Sequence, residues 1–269
     1  MPTERQPYVV RPGDAPLVVS MPHVGTEVPE AIARRMTDAG RGVPDTDWHV
    51  DRLYDFLEEL GVGHIAAIYA RYVVDLNRPP DGRPLYPGAS ETELCPTTTF
   101  AEQPIYLEGQ GPDAAEVEER RVRYWQPYHD ALAELVDAAL ARHGRVVLWD
   151  AHSIRSRVPR FFSGRLPDLN LGTRGGTTAH PMLIAELAEV ASEAEELGYG
   201  YVVDGRFKGG YITATHGRPQ EARHAVQLEL AQAAYMDEDP PYTFRDDLAR
   251  ELRPVLCRLL ETALAWARG

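Results

Sequence analysis

The chain has 269 residues, 41 acidic against 28 basic, and a formal net charge of −13. That balance excludes a general nucleic-acid binder, whose phosphate contacts need a basic face, but leaves room for a small anionic substrate, which responds to local charge. Two cysteines, Cys95 and Cys257, stand too far apart for a metal knuckle and read as free thiols of a reducing compartment. The polar start at Met1–Gln6 has no apolar signal region, and no stretch approaches the roughly 18 apolar residues of a membrane span. A cytoplasmic protein is expected, with neither membrane nor nucleic acid as partner and with a homo-oligomer allowed.

Taken in chain order, the first predicted strand, 16–20, runs into Met21-Pro22-His23-Val24-Gly25. A helix predicted over about 47–60 opens with Asp45-Thr46-Asp47-Trp48-His49-Val50-Asp51. Strands at 64–70 and 72–76 follow, the second leading into Asp75-Leu76-Asn77-Arg78-Pro79. Residues 79–112, rich in Pro, Gly and Thr, predict a long excursion over the sheet edge, the kind of loop that often forms a lid or binding surface. The 114–143 segment carries a helical apolar stripe through Val117, Val122, Trp125, Tyr128, Leu132, Leu135 and Ala139, with Pro127 predicting a kink or break. The apolar run of a strand at 145–150 ends in Asp150-Ala151-His152-Ser153. A loop (153–178), a helix (180–197), a strand (200–204), a loop (205–222), a strand (224–230) and a helix (246–267) complete the chain. Strands alternating with helices predict an α/β fold whose mostly parallel sheet is covered on both faces.

In such sheets ligands bind at the carboxyl ends of the strands. His23 and His152 both follow apolar runs there, and two imidazoles at one sheet edge point to a metal-dependent hydrolase. A catalytic zinc takes three protein ligands of imidazole or carboxylate type and keeps an open position. The acidic partner is open between Asp47 and Asp51, which stand four apart on one predicted helical face; either is equally an ordinary helix-start cap. Glu229 alternates with Val226, Leu228 and Leu230, so it is either solvated or a buried carboxylate with a raised pKa suited to general-base work. Asn77 and Arg78 form a natural pair for gripping a carboxylate. Between Asp150 and Asp168 stand Arg155, Arg157, Arg160 and Arg165 and no acid, a local positive patch; Arg218 adds another before the Glu229 strand.

Jointly, several motifs resemble those of the N-formylglutamate amidohydrolase (deformylase) family. They include Pro22-His23-x-Gly25, Asp47-Trp48-His49-x-Asp51-Arg52-Leu53-Tyr54, Asp75-Leu76-Asn77-Arg78-Pro79 and Cys95-Pro96-Thr97-Thr98. The likeness continues through Trp125-x-Pro127-Tyr128-His129, Asp150-x-His152-Ser153, Phe162-Ser163-Gly164, Gly209-Gly210-Tyr211-Ile212-Thr213 and Gln227-Leu228-Glu229-Leu230. The resemblance implies a single three-layer α/β/α domain related to zinc carboxypeptidases and aspartoacylases. It also implies zinc held by His23, Asp47 and His152, with Asp51 the alternative acid, and Glu229 activating the attacking water. Asn77 and Arg78 would bind one substrate carboxylate, and Arg218 or the arginines Arg155 and Arg160 the other. The implied reaction is hydrolysis of N-formyl-L-glutamate to formate and L-glutamate, the last step of a histidine degradation route. Its rivals are an amidohydrolase of another N-acyl acidic amino acid and a non-catalytic dicarboxylate-binding protein.

Overall fold

A computed structural model describes residues 5–85, 88 and 90–269, so most of the polar start and part of the predicted excursion lie outside the described residues. Seven strands form one sheet: β1 (Tyr8–Arg11), β2 (Leu17–Met21), β3 (Gly63–Ala67), β4 (Val146–Ile154), β5 (Leu169–Gly172), β6 (Tyr201–Val203) and β7 (Arg223–Ala231). Their order is β1-β3-β2-β4-β7-β5-β6. Only the β1–β3 and β7–β5 pairs are antiparallel, which makes the sheet mixed and mostly parallel, as expected. β2 and β4 are buried at every residue, the behaviour of parallel strands covered on both faces.

Between β2 and β3 lie three one-turn helices, α1 (Glu30–Ala33), α2 (Asp38–Arg41) and α3 (Val50–Leu53). The longer helices are α4 (Ala114–Arg120), α5 (Gln126–His143), α6 (Pro181–Glu193) and α8 (Asp246–Arg268), with a short α7 (Tyr211–His216) before β7. The two-residue period of β4 divides its side chains between two cores. Val146 and Leu148 pack with Leu132 and Val136 of α5. Val147 and Trp149 belong with Leu183 and Leu187 of α6 and Leu252, Leu256 and Leu259 of α8. Helices thus cover both faces, the three-layer α/β/α arrangement. At about 1.5–3 kcal/mol for each fully buried leucine, these stripes carry much of the helix docking energy. Among the described residues no helix is long and apolar enough to cross a membrane.

Three local expectations change, and one at Pro127 is met. The 47–60 helix shrinks to α3, because His49 sits at φ 62° and breaks the entry, while Arg253 takes the carbonyls of Arg52 and Leu53. The 72–76 segment is apolar and buried but is no strand: its carbonyls bond to side chains, with Arg120 taking Tyr72 and Val73 and His129 taking Leu76. The break expected at Pro127 takes the form of a π-helical turn, Arg121–Trp125, between α4 and α5, with Pro127 in the first turn of α5. The loops 153–178 and 205–222 contain β5 and α7, elements too short for their periodicity to register.

Candidate active site

β2 and β4 are adjacent and parallel, with Ser20 level with Asp150. The chain leaving β2 therefore carries His23 beside His152, which lies inside β4 because that strand runs on to Ile154. A bond from Asp47 N to His23 O (3.0 Å) folds the next loop over them. The result is a buried cluster in which one ligand atom each of His23, Asp47 and His152 lies within 4.8 Å of the others. Asp51 is exposed on α3 and stands outside this cluster.

The ring nitrogens are sorted by outer carboxylates. His23 Nε2 lies 2.7 Å from Asp75 Oδ1, and His152 Nε2 lies 3.1 Å from Asp150 Oδ2. Protons on both Nε2 atoms would leave the two Nδ1 atoms, 3.2 Å apart, free to ligate, while Asn77 Nδ2 also approaches His152 Nε2 at 3.0 Å. Asp47 Oδ2 joins them at 3.0 Å from His152 Nδ1 and 3.7 Å from His23 Nδ1. Two imidazoles and one carboxylate converging in a buried cluster are a donor set that suits zinc, with the Arg71 guanidinium also meeting His23 Nδ1 and Asp47 Oδ1. Burial opposes a charged His152, yet Asp150 and Asp47 outweigh it and push its pKa well up, so a proton and a metal ion compete for the same ring edge. Burial likewise opposes ionised Asp47, but Arg71 and the two histidines hold it well below the usual carboxylate range.

Arg71 is a site residue that the sequence reading missed. Its Nη2 reaches Asp47 Oδ1 and His23 Nδ1, each at 2.7 Å. The available signal was a single charge inside the apolar stretch Ile68-Tyr69-Ala70-Arg71-Tyr72-Val73-Val74. The irregular segment carrying Arg71, Asp75, Asn77 and Arg78 is held from the α4–α5 side. Arg120, 2% exposed, donates to Val73 O (3.2 Å), His129 Nε2 to Leu76 O (2.8 Å) and Trp125 Nε1 to Arg78 O (3.1 Å). From the opposite side Ile212 N donates to Asn77 Oδ1 (2.9 Å). Gly210 abuts the same amide so closely that a Cβ there would fall 2.3 Å from Asn77 Nδ2.

Glu229 is buried on β7 and accepts a bond from Gln227 Nε2 (3.2 Å). Burial pushes its pKa up to about 8; Asp47 and Asp150 add to the rise, and His152 and Arg71 oppose it. His23, Arg71, Asn77, Arg78, His152 and Glu229 all line one cavity, walled further by Phe100, Phe161, Phe207 and Arg206. Arg155, Arg160 and Arg218 do not line it. Arg155 pairs with Asp239 (2.8 Å), Arg218 pairs with Glu221 (3.1 Å), and Arg160 donates to Thr98 Oγ1 and Thr99 O.

A family model for N-formylglutamate amidohydrolase matches residues 15–236, a span containing every residue of the cluster and its cavity. This chain belongs to the N-formylglutamate amidohydrolase family. Within the family it is 52% identical over 260 residues to an N-formylglutamate deformylase of Pseudomonas aeruginosa, covering 95% of each chain. A Pseudomonas putida N-formylglutamate deformylase is 47% identical over 254 residues, covering 94% of each. The crystal structure of N-formylglutamate amidohydrolase from Ralstonia eutropha JMP134 matches with a TM-score of 0.83 at 29% identity, over 98% of this chain and 99% of that one.

Proposed function

We propose that this chain is a zinc-dependent N-formylglutamate deformylase, hydrolysing N-formyl-L-glutamate to formate and L-glutamate. The observation that carries the reading is the convergence of His23, Asp47 and His152 beside Glu229, all buried and all but Asp47 lining one cavity with Arg71 and Arg78. The names of the relatives at 52% and 47% identity support the substrate. The same reading gives the enzyme the last step of a histidine degradation route, in the cytoplasm.

His23, Asp47 and His152 would hold the zinc through the two Nδ1 atoms and a carboxylate oxygen, and when bound it supplies Lewis acidity that makes water acidic and polarises a carbonyl. Glu229 takes the proton of the attacking water and delivers it to the departing amine nitrogen. A carboxyl whose pKa is raised toward neutrality suits both directions of that transfer. Arg71 keeps fixed positive charge in the cavity, where negative charge grows on the formyl oxygen. Asn77, pinned between α7 and the 70–78 segment, and Arg78 orient a substrate carboxylate. Asp75 and Asp150 hold the imidazoles in the ligating tautomer.

A formate-release assay with N-formyl-L-glutamate tests this reading. Activity is expected to vanish with a chelator and return on adding zinc. Indifference to the chelator overturns the metal assignment, and failure of the zinc-loaded protein to release formate overturns the substrate.

A further inference from the structure

The cavity wall carries an arginine, Arg206, that no carboxylate of the described residues pairs with. Arg206, half-buried in the loop between β6 and α7, donates from Nε to Phe161 O (2.7 Å) and from Nη2 to Ser90 O (3.2 Å). Its guanidinium carbon lies 5.8 Å from the Phe161 ring centroid and 5.4 Å from that of Phe207. Among the described residues no acid stands within ion-pair distance of it. Glu91, on the same cavity wall, accepts instead from Leu85 N (3.2 Å). Off the cavity wall, Arg155, Arg165 and Arg218 are paired with Asp239, Asp168 and Glu221, and Arg160 is held by Thr98 and Thr99 oxygens. In a chain of net charge −13, an arginine held in place by carbonyls yet left uncompensated in a cavity is built to receive an anion.

Arg78 is a second arginine on this wall; Asp75 interacts with it electrostatically but makes no direct ion pair with it. Its guanidinium donates only to neutral oxygens, Thr92 O (2.9 Å), Thr92 Oγ1 (3.3 Å) and Asn77 O (3.3 Å). Arg78 and Arg206 come from separate elements and line the same cavity as Glu229 and the histidines. Two separately anchored guanidinium groups suit a substrate bearing two carboxylates. We infer that Arg206 is the specificity-determining residue for the side-chain carboxylate of an N-acyl dicarboxylic amino acid, while Arg78 takes the α-carboxylate. The inference rests on the deformylase reading and adds to it the group that distinguishes an acidic from a neutral side chain.

The test compares wild type, Arg206→Gln and Arg206→Lys on N-formyl-L-glutamate and on its neutral isostere N-formyl-L-glutamine, with glutarate binding measured by calorimetry. The ratio of kcat/KM for the two substrates is expected to fall about 100-fold in Arg206→Gln, the scale for removing one partner of a buried charge pair, and to recover in part in Arg206→Lys. Glutarate binding should weaken in parallel. A ratio left at the wild-type value, with both substrates slowed equally, shows a loop anchor only and overturns the inference. Unchanged glutarate binding in Arg206→Gln does the same. Wild type that releases no formate but binds glutarate through Arg206 overturns the deformylase reading and leaves the carboxylate subsite standing.

Discussion

His152 and Glu229 are level with each other on neighbouring parallel strands, β4 and β7, and both line the same cavity. A candidate metal ligand and a candidate proton carrier are therefore set by one strand register, with the β4–β7 pairing unbroken from Val146–Arg223 to Ile154–Ala231. Sheet pairing is a stiff way to hold two groups together, and it makes the following substitutions readable as local changes.

Glu229→Gln keeps the volume and the bond from Gln227 but removes the titratable oxygen. Turnover is expected to drop by roughly 100-fold or more, the usual scale for a general acid–base, with zinc content measured by atomic spectroscopy unchanged. Near-normal turnover would remove Glu229 from the mechanism.

The two acids of the 45–51 segment separate cleanly. Asp47→Asn takes away the carboxylate that meets both imidazoles and is expected to leave the purified protein with little zinc. Asp51 is exposed, so Asp51→Asn should carry zinc like wild type. A metal-free Asp51→Asn protein would contradict the cluster.

Gly210→Ala tests the packing behind Asn77. The added Cβ would meet the Asn77 side chain at 2.3–2.5 Å, a distance no rotamer change of the alanine relieves. Overpacking of this kind costs about 1–3 kcal/mol, read as a lower urea midpoint. Because Asn77 lines the cavity, KM for N-formyl-L-glutamate should also rise. A variant with wild-type stability and KM would show that α7 yields freely.

Acid should destabilise the fold through two buried histidines, His129 and His216. Burial lowers the pKa of His129 to about 3 and of His216 to about 4, from the ordinary histidine value of 6.5. Below pH 6.5 the unfolded chain binds protons that the native state refuses, so stability falls as pH drops toward 4. Each group contributes up to about 1.4 kcal/mol per pH unit. Glu229, raised to about 8, works in the opposite sense between pH 4.5 and 8, so the measurement is a difference between proteins. His129→Gln retains a donor for Leu76 O and is expected to lose about one proton from the pH dependence of its urea-unfolding free energy. An unaltered slope would mean that His129 is charged in the native state.

The alternation of apolar runs with helical stripes determined the α/β class and the mostly parallel sheet, because buried parallel strands and amphipathic helices write their periods directly into local sequence. The ends of two such runs likewise marked His23 and His152 as residues of one sheet edge. Asp47 and Asp51 share the same helix-start chemistry, and only the left-handed turn at His49 and the Asp47–His23 backbone bond bring one of them inward. The 72–76 segment is as apolar as a strand, but whether its carbonyls meet a neighbouring strand or the side chains of Arg120 and His129 is decided by residues some fifty positions away. Charge is the least local property of all. The arginines densest in sequence, Arg155 to Arg165, lie off the cavity wall, whereas Arg71 and Arg206 reach it from segments that looked unremarkable. A side chain's composition is local, but its electrostatic partner comes from wherever the fold brings a carboxylate, or withholds one.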